Sequence, residues 1–335
     1  MMNGNPWKVS ILLVLLVGVM CIPAAGLTLK IGSSAPAGTA WDDALKQIAA
    51  EWAEISGGRI QLTIYPGGVA GTEGDMIRKM RIGQIQGAAL SGIGMTKISR
   101  DMLILSLPRF LQSEEELAYL LGRRGDVFES ILRDSDFTLI AWQMAGWVNF
   151  FSRKPVRLPE DLKQQKLSVT AETSDLEAAW KECGFRVVPL DTQNIMTGLQ
   201  TGMIDAFYNP PVMAAAYQWF ALAPYMCSLK ISPLLGGFVI SSRAWSRVPD
   251  DLKPQLINAA RRIGEPLYDE IIRLEKKALG IMQENGLTIT NLTKQEISQW
   301  EHTFREGYPS LIGDIIDPTL FEEVDGALRE YRRRQ

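Results

Sequence analysis

From Leu27 the chain alternates between two periodicities, and that alternation narrows the folds open to it. "LTLKIGSSAP" interchanges apolar and polar residues and then breaks at Gly32 and Pro36, the pattern of a strand running into a loop. Trp41, Leu45, Ile48, Ala49, Trp52 and Ile55 next recur at helical spacing, and "SGGR" ends the run. "IQLTIYPGG" alternates as a strand up to Pro66, and "TEGDMIRKMRIGQ" is again amphipathic. The order is β, α, β, α.

The pattern continues through "GAALSGIG", a buried run around Leu103 to Leu107, and the long strand-like stretch "FTLIAWQMAGWVNFFS". A second cycle places strands at "KLSVT", "FRVVPL" and "IDAFYN", with helices over Asp175 to Cys183 and Thr192 to Thr201. "GGFVISSRAW" returns as a strand, and from Pro254 onward the chain is mostly long amphipathic helix. Strands separated by helices of this length predict an α/β protein with largely parallel sheets. Short strand-like crossovers near Trp147 and Gly236 divide it into two lobes around a central ligand cleft, since α/β architectures bind ligands in such crevices. The expected division is 27–147 plus 237–279 for lobe I, and 148–236 plus 280–335 for lobe II with the C-terminal helices.

A length of 335 residues gives room for two domains with sizeable cores. The net charge of -3 offers no basic face, so no nucleic-acid partner is expected, and "EYRRRQ" reads as a solvated helix end. Residues 1–26 have the shape of a signal peptide: Lys8, a short apolar run, then Pro23, Ala24, Ala25 and Gly26. Export to the periplasm is the expectation, with an uncleaved anchor or acylation of Cys21 as the alternatives. Beyond the leader, Cys183 and Cys227 have no metal or redox spacing and read as buried free thiols.

Little in the chain supports catalysis. A nucleophilic triad needs a histidine, and the one present, His302, lies in the polar helical stretch "ISQWEHTFRE". Gly68, Gly71 and Gly74 match neither phosphate-loop spacing, and no histidine or cysteine cluster supports a metal, so no cofactor or metal is expected. Asp42/Asp43 and Asp250/Asp251 fit helix starts, where a carboxylate complements the dipole. Aromatic residues do gather at predicted strand ends: Trp142, Trp147, Phe150, Phe151, Phe207, Tyr208 and Phe238. Most aromatics pack cores, but this clustering falls at the predicted crossovers.

Four segments are more specific: "YPGGVAGTEGDMIRKMRIGQIQGAAL", "GWVNFFSRKPVRLPEDLKQQKLSV", "VVPLDTQNIMTGLQTGMIDAFYNPP" and "AWSRVPDDLKPQLINAA". In this order they resemble the DctP-type extracytoplasmic solute-binding proteins of tripartite ATP-independent periplasmic (TRAP) transporters. "LPEDLK" and "LQTGMID" are the strongest signatures. The resemblance implies a two-lobed periplasmic-binding-protein-like fold, a long bracing helix in the C-terminal third, and delivery of one solute to a membrane permease.

It also exposes a departure. The strand matching "KLSV" usually reads K-[IL]-R-V in that family, with the arginine paired to a substrate carboxylate, and Ser168 stands there. A second frequent arginine, in G-x-R, is matched by Gly146, Trp147 and Val148. Neither serine nor valine supplies a planar, charged donor pair. The expected solute is therefore small and uncharged or hydrophobic. Trp41, Trp147, Phe150, Phe207, Tyr208 and Phe238 would wall the cleft beside Val148, and Ser91, Asn149, Ser168, Thr170 and Asn209 would orient the ligand. The alternative is an organic acid held by a relocated arginine, with Arg109 and Arg153 as candidates. The departure also resembles a subset that works with a tetratricopeptide-repeat partner protein. An enzyme using Glu172 or Asp205, and a protein-binding scaffold, are the readings from other classes.

Overall fold

The run from Phe137 to Ser152, which reads as one strand, is two. In the computed structural model, which describes residues 26–171 and 174–335, Phe137–Trp147 joins one sheet and Asn149–Ser152 another, with Val148 alone between them. The leader up to residue 25, including Lys8 and Cys21, and Glu172 lie outside the described residues.

The first part of the chain runs β1 (Leu27–Ser33), α1 (Ala40–Ile55), β2 (Ile60–Tyr65), α2 (Glu73–Arg81), β3 (Gly87–Leu90), α3 (Gly92–Ile98), α4 (Glu114–Asp134) and β4 (Phe137–Trp147). The second lobe opens with β5 (Asn149–Ser152), α5 (Pro159–Lys163), β6 (Lys166–Val169), α6 (Ser174–Glu182), β7 (Arg186–Pro189), α7 (Ile195–Thr201), β8 (Ala206–Asn209), α8 (Pro211–Ala216) and β9 (Tyr225–Cys227). Then come β10 (Pro233–Ser241), α9 (Ser242–Trp245), α10 (Lys253–Glu284), β11 (Thr288–Thr290), α11 (Lys294–Gly307) and α12 (Pro318–Arg333).

One sheet has the order β2-β1-β3-β10-β4 and the other β11-β9-β5-β8-β6-β7. The sheets are mixed rather than largely parallel. β1 is parallel to β2 and β3, whereas β10 is antiparallel to both β3 and β4. In the second sheet β5 is antiparallel to β8 and β9. The chain leaves the first sheet along β4 and returns to it along β10 in the opposite sense, so β10 pairs antiparallel with β4. The apolar run around Leu103 is a 3-10 helix, Arg100–Ser106, with Leu103, Ile104 and Leu105 buried.

The two crossovers are bonded to each other. Val148 N–H donates to Ser232 O at 3.0 Å, and Ile231 N–H donates to Val148 O at 2.9 Å. α10 then braces both lobes: its 32 residues span about 48 Å at ~1.5 Å per residue. Near its start Leu256, Ala259 and Ala260 pack into the first lobe's core, where Trp52 Nε1 donates to Leu256 O at 2.9 Å. At its far end Met282 packs with Phe151, Phe207 and Trp219 of the second lobe. α12 lies on α4, where Arg332 pairs with Glu116 at 2.7 Å and donates to Phe110 O.

Glycine is required where β10 passes β3. A Cβ on Gly236 would lie 2.0 Å from Leu90 O and 3.0 Å from Ser91 Cα, all of it main chain. Gly236→Ala is expected to lower stability by about 2–3 kcal/mol through overpacking, read as a lower urea midpoint. Gly122→Ala in α4, whose Cβ would meet nothing within 4 Å, serves as the control and should hold or raise the midpoint. A Gly236→Ala midpoint equal to that of the parent protein would contradict the close approach.

Candidate functional site

Three adjoining cavities lie where the lobes meet. One of about 190 Å³ sits on the first lobe, between Trp41, Ser91, Gln143 and Gly236. Two of about 90 Å³ each reach toward the second lobe. Ser168, Thr170, Phe207 and Asn209 line one of these, and Trp180, Thr96 and Ser106 the other. Leu234, just beyond the crossover, lines all three; Ile93, Val148, Thr170 and Tyr208 line both of the smaller ones.

The elements explain why these side chains converge. Ser168 is on β6 and Phe207, Tyr208 and Asn209 are on β8, so the carboxyl ends of two neighbouring parallel strands face the cleft. Opposite them Ser91 caps α3, its hydroxyl accepting from Gly94 N–H while donating to Glu73 Oε2 at 2.7 Å. Ser91 N–H donates to the other Glu73 oxygen, also at 2.7 Å.

The lining is neutral. Among the described residues, no Arg, Lys, Asp or Glu lines any of the three cavities. Tyr208 Oη and Trp180 Nε1 are buried and make no hydrogen bond of normal geometry. Burial pushes the Tyr208 phenol well above its ordinary range, and the nearby Trp180 indole and Thr170 main chain only partly oppose the shift. The phenol therefore stays neutral at any physiological pH.

Eight of the twelve residues singled out from the sequence line these cavities: Trp41, Ser91, Val148, Ser168, Thr170, Phe207, Tyr208 and Asn209. The other four sit elsewhere. Phe238 packs in the first lobe's core, with its ring 6.0 Å from that of Trp52. Phe150 lies beneath the cleft floor against Trp180, Tyr208 and Trp300. Asn149 uses both amide hydrogens on the main chain, donating to Cys227 O at 3.1 Å and Leu229 O at 2.9 Å, so it ties β5 to the segment after β9. Trp147 is fully buried at the hinge, with the Lys230 ammonium 5.4 Å from its ring centre.

The candidate arginines are occupied outside the cleft. Arg109 pairs with Glu301 at 2.7 Å and donates to Lys230 O. Arg153 donates to Leu199 O. Asp205 accepts from Lys166 N–H at 3.0 Å, a main-chain tie between β6 and β8 rather than a free base. His302 is exposed on α11, 3.6 Å from Glu306. Sequence reasoning missed Ile93, Leu234, Gln143 and Trp180. Only Trp180 carried a signal, as a large aromatic on the apolar side of a short helix.

This geometry, a cleft at strand ends between two lobes spanned by one helix, is shared with known proteins. The sequence profile of the bacterial extracellular solute-binding proteins of family 7, DctP, matches residues 31–313. The chain belongs to the DctP family. A 2,3-diketo-L-gulonate-binding periplasmic protein of Escherichia coli is 26% identical over 73% of this chain and 75% of its own length. A sialic acid-binding periplasmic protein of Vibrio cholerae is 23% identical over 92% of this chain and 96% of its own length. Among solved structures, a TRAP periplasmic solute-binding protein of Roseobacter denitrificans with bound β-D-glucuronate superposes with a TM-score of 0.81. It is 17% identical and covers 90% of this chain and 99% of that one. The chain is thus a TRAP solute-binding protein, of a family that binds small molecules outside the cytoplasm and works with membrane permeases. Among the described residues no helix is long and apolar enough to cross a membrane.

Cys183 and Cys227 are free and buried, and burial pushes both thiols up to about 11. A thiolate is the reactive form, so neither thiol should react with a disulfide reagent at about pH 8 until urea unfolds the chain. Because their ordinary value is 9.0, the folded state holds these protons more tightly. Stability should therefore fall as pH rises from about 9 through about 11. Stoichiometric labelling of the folded protein would contradict this burial.

Proposed function

We propose that the interlobe cleft captures a small, uncharged and largely apolar solute and that the protein, exported to the periplasm, passes it to a TRAP permease. The observation that carries this reading is that, among the described residues, no cationic side chain lines the cavities. A carboxylate buried there without a guanidinium partner would lose its hydration and gain no compensating ion pair, a cost of several kcal/mol. Glu73, which holds Ser91 from behind, adds a like charge. A neutral ligand would use Ser168, Thr170, Asn209, Tyr208 and Trp180 for orientation, with Val148, Leu234 and Phe207 as apolar walls.

A second reading, an organic acid, is favoured by the relatives' names, which give diketogulonate, sialic acid and glucuronate. It requires a cation to enter the cleft from outside the present walls. Calorimetry on matched pairs separates the two: each of these acids, and succinate, against its neutral methyl ester. The neutral reading expects the ester to bind at least about tenfold more tightly than its acid, one such factor being 1.4 kcal/mol. It also expects Ser168→Arg, which would place a guanidinium in the cleft, to reverse that order. A tighter acid in the parent protein would overturn the neutral reading and support the second.

A further inference from the structure

A larger cavity, of about 450 Å³, lies behind the hinge, between α4, β4 and α10. The period of the strands separates it from the cleft. On β4, Trp142 and Met144 face this cavity while Gln143 and Ala145 face the cleft, and on β10 Leu235 faces it while Leu234 and Gly236 face the cleft; Ala141, where the pairing with β10 becomes irregular, also borders the cavity. Both helices framing it are interrupted alongside. α4 leaves helical geometry at Arg124, next to Gly125, and α10 carries Pro266 just after Gly264; both glycines are in the cavity wall. A proline inside a helix removes one main-chain bond and bends the axis, so the helices part where a packed pair would close.

The walls are apolar over most of their extent, with Leu117, Leu121, Trp142 and Leu267 prominent, but one end is polar and unsatisfied. Tyr268 Oη, in the wall, is buried and makes no hydrogen bond of normal geometry, with the Trp147 indole and the Glu114 carboxylate near it; Glu275 Oε2, likewise buried, lies near the Trp147 main chain. Buried polar atoms are rarely left unpaired. Burial raises both the Tyr268 phenol and the Glu275 carboxyl above their ordinary values; Glu114 adds to each, and at Glu275 the Lys230 ammonium partly offsets the rise. The charges set a sign. Lys230 is already paired with Glu114 at 2.6 Å and Arg261 with Glu129 at 2.8 Å, while Glu265 and Glu275 add further carboxylates.

We propose that this cavity is a second ligand site, taking an apolar molecule with one hydroxyl or amine head and rejecting the corresponding acid. The head would lie between Tyr268, Trp147 and Glu275, and the apolar body between α4 and α10. The inference does not depend on what the cleft binds.

Three probes sharing one chain test it on the full protein: 1-decanol, decylamine and decanoate, followed by calorimetry and by the fluorescence of Trp142 and Trp147. Decanol and decylamine should bind with one-to-one stoichiometry, and decanoate at least about tenfold more weakly. Gly125→Leu should fill the cavity and weaken decanol at least tenfold. A Cβ there meets nothing within 4 Å, and leucine favours a helix over glycine, so the fold should hold. Tyr268→Phe should weaken decanol about fivefold, the order expected for one net hydrogen bond. The proposal is overturned if no probe saturates, if decanoate binds as tightly as decanol, or if Gly125→Leu leaves decanol binding unchanged.

Discussion

The pair of main-chain hydrogen bonds joining Val148 to Ile231 and Ser232 fixes where everything else in the molecule can be. Two strand crossings between the lobes pass through it, and α10 makes a further crossing away from it. The ligand cavities open on one side of that bonded pair, with Val148 and Leu234 in their walls. α10 runs across the other side, and its Ile271 and Glu275 approach Gly146, whose φ of +109° is open to glycine but strained for other residues. One core cluster runs through the hinge, from Met144 and Leu235 to Phe150 and Leu167, while α10 contributes to two outlying clusters, one around Trp52 and one around Phe207.

Much of this architecture was legible because half-buried strands and amphipathic helices write their periods into the sequence. β1, α1, β2 and α2 fall where alternation and helical spacing put them, and the long helix after Pro254 is marked by its sustained apolar stripe. A crossover near Trp147 was expected from the sequence; that the apolar run divides there into two strands of different sheets was not, because neither strand has an exposed residue and the residues stay apolar across the junction. β9 and β11, three residues each, are too short to show a period. The run at Leu103 shows the ambiguity of short buried segments, which read alike as strand or helix.

The site divides along a similar line. Ser168 and Asn209 were singled out by the family resemblance and Phe207 and Tyr208 as aromatics at a strand end, and all four line one of the cavities. Aromatic type alone, however, does not say which face of a strand a ring occupies. Phe238 and Phe150 sit one layer behind the cleft for that reason, and Asn149 serves the main chain instead of a solute. Ile93 and Leu234 had no distinguishing chemistry; their place in the walls follows from tertiary structure alone. The absence of arginine at Ser168 was legible as a departure from a family pattern. In the structure Arg109 pairs with Glu301 and Arg153 donates to Leu199 O, both outside the cleft walls.

The account turns on the charge of the solute. Native mass spectrometry of the protein as purified, followed by denaturation and identification of the released molecule, tests it most directly. A neutral, mostly apolar molecule released in one-to-one stoichiometry is the predicted result. A small carboxylate in the same stoichiometry would contradict the account and require a cation to reach the cleft when the lobes close.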